Sequence, residues 1–219
     1  MNKQRLHEIF RSLHQTHGPQ HWWPARTRFE VMVGAVLTQN TAWRNVERAI
    51  AALKAANALS PEAMLDLSDA ELARLIRPSG YFNVKARRLK ALCRWYLDHG
   101  GRRRLRHWPT EKLRASLLSV HGIGPETADD ILLYAFDRPV FVIDAYTRRL
   151  LGRLGHPHAQ AAYDDFRMSL ESTLGQDERL YNEYHALIVA HGKDVCRPKP
   201  RCERCALAGE CGFEAGNKG

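Results

Sequence analysis

Four cysteines near the C-terminus, Cys196, Cys202, Cys205 and Cys211, stand in the spacing C-x5-C-x2-C-x5-C. Four thiolates so spaced can ligate zinc or an iron–sulfur cube. Zinc sites commonly pair two C-x-x-C knuckles, and this run holds one. Disulfides do not suit the reducing compartment that the rest of the chain indicates. Arg197, Lys199 and Arg201, between the first two cysteines, form a basic loop able to meet phosphates. The fifth cysteine, Cys93, lies on an apolar helix face and reads as a buried core thiol.

A second chemistry-bearing stretch is "SVHGIGPETADDILLYAF", residues 119–136. "PTEKLRASLLSV" (109–120) predicts one helix, "HGIG" (121–124) a tight turn and "PETADDILLYAF" (125–136) a second helix. Gly122 and Gly124 permit backbone angles closed to other residues and a close approach by another backbone. Pro125 suits the first helical position. The result is a helix N-terminus whose N–H groups face outward, a ready site for phosphate.

The elements that must position these groups are read from apolar spacing. Leu6, Ile9, Phe10 and Leu13 recur at helical intervals, as do Phe29, Val33, Val36 and Leu37, then Val46, Ile50 and Leu53. Leu89, Leu92, Trp95 and Tyr96 follow, and later Phe166 and Leu170, then Tyr181, Tyr184, Leu187 and Ile188. The best strand candidate, "PVFVIDAY" (139–146), is bounded too tightly for a sheet. The fold class is all-α. Of 219 residues, 33 are Lys or Arg and 24 Asp or Glu, a formal charge of +9 and a pI near 9.6, which favours a polyanionic partner. No stretch approaches the roughly 20 apolar residues that span a bilayer. Met1 is followed by a charged helical segment rather than an apolar signal core, so a cytoplasmic location is expected.

Residues 119–136 resemble the helix-hairpin-helix of the endonuclease III family of DNA glycosylases, and three further features extend the resemblance over most of the chain. "VIDAYTRRL" (142–150) is similar to the segment bearing that family's catalytic aspartate, which makes Asp144 the catalytic residue. Alone, an Asp ahead of a helix reads as an N-cap, and it can serve as both. One carboxylate suffices to stabilise the positive charge that develops on a sugar as a base departs, and to orient or deprotonate the attacking water. The cysteine run resembles the family's C-x6-C-x2-C-x5-C, one residue shorter in the first gap, which implies one 4Fe-4S cluster on Cys196, Cys202, Cys205 and Cys211. "VLTQNTAW" (36–43) resembles the segment whose glutamine fills the gap left by a flipped nucleotide, here Gln39 beside Asn40. "GYFNVKARRL" (80–89) resembles the family's glycine-led loop before a basic helix, and implies phosphate contacts by Lys85, Arg87 and Arg88. Gly122, Gly124 and Thr127 of the hairpin are the remaining implied DNA contacts.

One departure bears on the reaction. Relatives that also cut the strand carry a lysine two residues after the second hairpin glycine, where its amine forms a Schiff base with the sugar. This chain has Glu126 there, so hydrolysis by water is expected, without lyase activity. "QHWWPARTRF" (20–29) supplies Trp22, Trp23 and Pro24, and Trp43 stands near Gln39. Flat π-rich walls grip a cationic base by stacking and cation–π attraction. These aromatics and the missing lysine resemble the 3-methyladenine DNA glycosylase branch, in which Lys193 of "AHGKDVC" falls at a basic position near the cleft. The resemblance implies two lobes, a helical barrel over 26–138 and a second lobe from 1–25 and 139–219 with the cluster loop at 196–211. The DNA cleft is expected between them. It further implies a monomeric base-excision enzyme acting on damaged double-stranded DNA, with no membrane partner. The alternatives are a mismatch or oxidised-pyrimidine glycosylase, and a non-catalytic DNA-binding module with structural zinc. Asp144 at the matching position argues against the module.

Overall fold

The apolar spacings resolve into helices throughout a computed structural model that describes residues 1–213. In chain order they are α1 (Lys3–His17), α2 (Arg28–Thr38), α3 (Trp43–Ala55), α4 (Pro61–Asp66), α5 (Asp69–Leu75), α6 (Phe82–Asp98), α7 (Gly101–Leu105), α8 (Thr110–Leu118), α9 (Pro125–Phe136), α10 (Ala145–Arg153), α11 (Tyr163–Leu174) and α12 (Glu178–Asp194). No strand occurs among the described residues. The chain divides into two compact units, one of Ala25–Arg138 and one of Met1–Pro24 with Pro139–Gly219.

In the first unit α2 and α9 form the centre and pack on each other. Both are apolar nearly all round, which is the pattern of a helix buried on every side. Every residue from Phe29 to Leu37 is buried, as is every residue from Thr127 to Phe136. α3 and α6 cover α2, α4 and α5 cover α6, and α8 covers α9. The amphipathic face of α6 carries Leu89, Leu92 and Cys93 inward, and Cys93 is the core thiol its position predicts, its pKa pushed up to about 12 by burial.

Burying α9 also buries Asp129, whose side chain is fully enclosed. It is compensated by Arg114 of α8, which donates from Nε at 2.7 Å and from Nη2 at 3.1 Å in a bidentate fork. That pair sets the register between the two hairpin helices. The turn joining them depends on Gly122, whose φ of +83° is left-handed; a Cβ there would lie 2.3 Å from Arg88 Cγ. Gly124 differs from the expectation. Its φ of −92° is open to any residue, and nothing lies within 4 Å of a Cβ built on it. Gly124 is the N-cap of α9 with no side-chain cap, and Pro125 follows at the first position.

In the second unit α12 packs against α1 and α10, and α11 against α1. The run 139–143 is extended but pairs with no strand. Val140, Phe141, Val142 and Ile143 are nevertheless buried, and backbone donors without water must find partners. α11 supplies them: Phe141 N–H donates to Glu171 Oε1 at 2.9 Å and Ile143 N–H to the Tyr163 hydroxyl at 3.3 Å. Glu171 is in turn held by Arg167 at 2.7 Å. This scaffold delivers Asp144 to the start of α10.

Breaking a buried ion pair on one side strands the other charge, at a cost of about 3–5 kcal/mol. Asp129→Ala should therefore lose that much stability in urea unfolding, and Arg114→Met combined with Asp129→Leu should recover most of it. A single-variant cost below about 1 kcal/mol would show that the pair is not what holds the hairpin. The two hairpin glycines should separate cleanly. Gly122→Ala meets the left-handed penalty of about 1–2 kcal/mol and the Arg88 side chain, whereas Gly124→Ala should stay within about 0.5 kcal/mol of the parent. Equal melting temperatures for the two variants would overturn the distinction.

Candidate active site

Asp144 is the N-cap of α10, and its Oδ1 accepts the Thr147 N–H at 2.7 Å. Its Oδ2 lies 3.7 Å from Nε2 of His185 on α12, with side-chain exposures of 12% for the aspartate and 7% for the histidine. Burial pushes the carboxyl upward, but the contact and charge of His185 and the Thr147 amide outweigh it and hold Asp144 below the ordinary carboxylate range. The carboxylate is thus ionised, oriented and largely out of water. Tyr146, two residues further on, has its phenol raised by burial and by the Asp144 charge. His185 was not singled out from sequence, because one histidine among Tyr181, Tyr184, Leu187 and Ile188 reads as a core residue.

The same unit brings together Trp22, Trp23 and Lys193. The two indoles lie with centroids 5.1 Å apart at 46°, and Lys193 Nζ is 5.8 Å from the Trp22 ring centroid, within cation–π range. Both tryptophans are half-buried and Pro24 is exposed. The segment carrying them is tied to α12 by the Gln20 N–H, which donates to Glu183 Oε1 at 2.7 Å. Trp43 belongs to the other unit, as the half-buried first residue of α3.

Within the hairpin unit Gln39 is the hub. Its Nε2 donates to the Gly122 carbonyl at 3.1 Å and to Thr127 Oγ1 at 2.9 Å, and its Oε1 accepts from Arg88. Neighbouring Asn40 is exposed in the left-handed region at φ +52°. Two expected DNA contacts are corrected here. Lys85 is 1% exposed, and its Nζ donates to the Leu37 carbonyl, Thr41 Oγ1 and the Ser79 carbonyl at 2.6–2.9 Å. Burial lowers its amine to about 8, and it closes the end of α2 instead of facing phosphate. Thr127 is likewise buried, its hydroxyl turned inward to Gln39. Arg87 is exposed as expected, and Arg88 lies across Gly122. Tyr81 was overlooked: it is 72% exposed and left-handed at φ +45°, immediately before α6.

Cys196, Cys202, Cys205 and Cys211 line one pocket, walled by Leu150, Leu154, Val195 and Leu207. The short first gap closes through the Arg201 N–H, which donates to the Val195 carbonyl at 3.0 Å. Arg153 Nη1 donates to Cys196 Sγ at 3.3 Å, and Cys205 Sγ lies 3.4 Å from His191 Nε2. No three His, Cys, Asp or Glu side chains among the described residues are grouped closely enough to hold a single metal ion. Four sulfurs among apolar walls, with an N–H donor on Cys196 Sγ, are the donor type and surroundings of a thiolate-ligated site. Arg197 and Lys199 are exposed on this loop. Among the described residues no helix is long and apolar enough to cross a membrane.

A protein of Methanocaldococcus jannaschii named as a DNA repair glycosylase is 46% identical over 210 residues, covering 94% of this chain and 95% of its own. The endonuclease III of Thermotoga maritima is 28% identical over 84% of this chain and 83% of its own. Among solved structures, the H. pylori 3-methyladenine DNA glycosylase bound to 1,N6-ethenoadenine is 29% identical with a TM-score of 0.75, over 88% of this chain and 98% of that one. An endonuclease III in non-covalent complex with DNA shares the fold at TM-score 0.83 and 21% identity, over 100% and 98% of the two chains. Residues 33–176 match the profile of base excision DNA repair proteins, and with these relatives the chain belongs to the HhH-GPD superfamily of base excision DNA repair glycosylases.

Proposed function

We propose that the protein is a monofunctional glycosylase that removes a flipped, alkylated purine such as 3-methyladenine from double-stranded DNA. The observation that carries this reading is Asp144, a nearly buried carboxylate held ionised by its own fold. As the C1′–N bond breaks, its electron pair leaves with the base, and a cationic base departs neutral. Positive charge grows on the sugar, and a fixed carboxylate stabilises it with no reorganisation. Water adds its oxygen to C1′ and gives up a proton, for which the Asp144 carboxylate is the base.

Lesion class is argued from the aromatics. Indole faces such as those of Trp22 and Trp23 attract a positively charged base, and Lys193, 5.8 Å from the Trp22 centroid, must yield that face to it. The H. pylori relative at 29% identity is a 3-methyladenine glycosylase, in keeping with that preference. The duplex backbone is assigned to the start of α9, where Gly124 supplies no capping side chain and the positive end of the helix dipole favours an anion. Lyase chemistry needs an amine; the position that would hold it carries Glu126, exposed in the first turn of α9, and the amine of Lys85 is buried on three oxygens.

The four cysteines would hold a 4Fe-4S cluster, which when bound gives the loop a rigid covalent core. Arg197 and Lys199 are then presented from a fixed loop, and their charges favour phosphate. The chain's location follows its substrate, with DNA in the cytoplasm.

Duplexes carrying 3-methyladenine, 1,N6-ethenoadenine, an oxidised pyrimidine or a mismatch form the direct test. The wild-type chain should release 3-methyladenine, leave the strand intact until alkali is added and give no adduct with borohydride. Asp144→Asn should release nothing while binding the duplex at least as well. Release of the pyrimidine alone, a strong trapped adduct or an active Asp144→Asn would each overturn the part of the reading it addresses.

Metal content is a separate check. Purified protein should be brown with about four irons per chain, and loss of iron on Cys205→Ser should lower thermal stability. Colourless protein with one zinc would replace the cluster by a single ion.

A further inference from the structure

The geometry points to His185 as the positioning residue of Asp144, its Nε2 set on the carboxylate oxygen that helix capping leaves over. This inference rests on the reading of Asp144 as the catalytic carboxylate and deepens it. An N-cap aspartate needs one oxygen for the helix, and Oδ1 serves here through Thr147. Capping alone leaves Oδ2 unassigned. Oδ2 lies 3.7 Å from His185 Nε2, longer than a full hydrogen bond, as catalytic contacts often are before substrate draws them tight.

The histidine is held there from several directions. α12 meets the first turn of α10 at Gly192, where a Cβ would come within 2.5 Å of Tyr146 Cδ1. Glycine therefore sets how closely the two helices approach. Arg149 of α10 donates to the Gly192 carbonyl at 3.0 Å and to the Cys196 carbonyl at 2.7 Å. On the far side, the Tyr184 hydroxyl donates to the Leu6 carbonyl at 2.9 Å. With α12 so fixed, the imidazole has little room to leave the carboxylate.

An apolar residue would fill this site without the desolvation cost of an imidazole, so packing alone does not account for a histidine. His185 offers N–H at Nε2 in either the neutral Nε2–H tautomer or the imidazolium. The carboxylate then meets a donor on each oxygen. It is fixed in one rotamer and stays charged in a site that would otherwise favour its protonated form. The titratable groups that face it are His185 from α12 and Tyr146 from its own helix.

The test compares wild type, His185→Phe, His185→Met, His185→Gln and Asp144→Asn in single-turnover release of the base the wild-type chain removes, 3-methyladenine first, across pH. Duplex affinity and melting temperature are measured on the same samples. Loss of an orienting contact typically costs about ten- to a hundredfold in rate. His185→Phe should fall that far with affinity unchanged, and its acid limb should move to higher pH because burial of Asp144 is then opposed by Thr147 alone. His185→Met, unbranched and flexible, makes the same comparison if the ring of Phe does not pack. His185→Gln keeps an N–H donor and should recover most of the rate and bring the acid limb back. Wild-type rate and an unmoved acid limb in a folded Phe or Met variant, with Asp144→Asn inactive, would overturn the inference and leave the catalytic reading standing. An active Asp144→Asn would overturn both.

Discussion

A carboxylate removed from water must be compensated where it sits, and this constraint shapes both units. Asp129 in the middle of α9 is enclosed and answered by the guanidinium fork of Arg114. Asp144 at the start of α10 is answered by an amide and an imidazole. The two solutions differ in kind. The arginine neutralises its partner's charge inside the protein and spends it on register. The amide and histidine leave Asp144 its charge and fix its direction, which suits the proposed role of meeting a developing cation.

The two helix starts express the same division. α10 is capped by the side chain that precedes it, so its first amides are satisfied internally. α9 begins at Pro125, after Gly124, with no side-chain cap, so the positive end of its dipole is left to favour an anion. An uncapped end forgoes about 1 kcal/mol of local stability. The Arg114–Asp129 pair, about one turn into each of α8 and α9, holds the hairpin from inside and offsets that loss. Gln39 adds a second brace, since its amide reaches both the turn carbonyl and the Thr127 hydroxyl. A glutamine so engaged must exchange those bonds for new ones before it can enter a duplex.

Much of this was legible in the sequence. Helical spacing, the hairpin glycines and proline, and an aspartate ahead of a helix each rest on a local rule, and each appears where the rule places it. What escaped depends on pairings across long separations. Residues 139–143 look like a strand because they are β-branched and apolar, yet their backbone donors find side chains of α11, and no local pattern announces that. His185 escaped for the same reason, being 41 positions from Asp144 along the chain. Lys85 is a different failure. The resemblance groups it with Arg87 and Arg88 as a phosphate contact, although it stands four residues before Leu89 on the buried face of α6. The apolar periodicity already contained that placement. Gly124 shows the reverse error, since a glycine in a motif was credited with a conformation only Gly122 adopts.

The cysteine loop and the catalytic candidate are joined by α10 itself. Asp144 caps its first turn, and further along Arg149 and Arg153 hold the loop. Arg149 donates to the Cys196 and Gly192 carbonyls, and Arg153 to Cys196 Sγ and the carbonyls of Arg197 and Pro198. These nine residues span about 13 Å at 1.5 Å per residue. A cation near a helix C-terminus also complements its dipole, so Arg153, in the last turn, stabilises the helix whether or not the loop is ordered. The loop, by contrast, has few apolar side chains of its own and depends on those arginines and on whatever its four sulfurs hold. Ordering at the sulfurs is therefore transmitted to α10 through carbonyls and guanidinium groups, and α10 carries Asp144. A group bound at the sulfurs would need no part in breaking a glycosidic bond to bear on it: it would steady the helix whose first turn Asp144 caps.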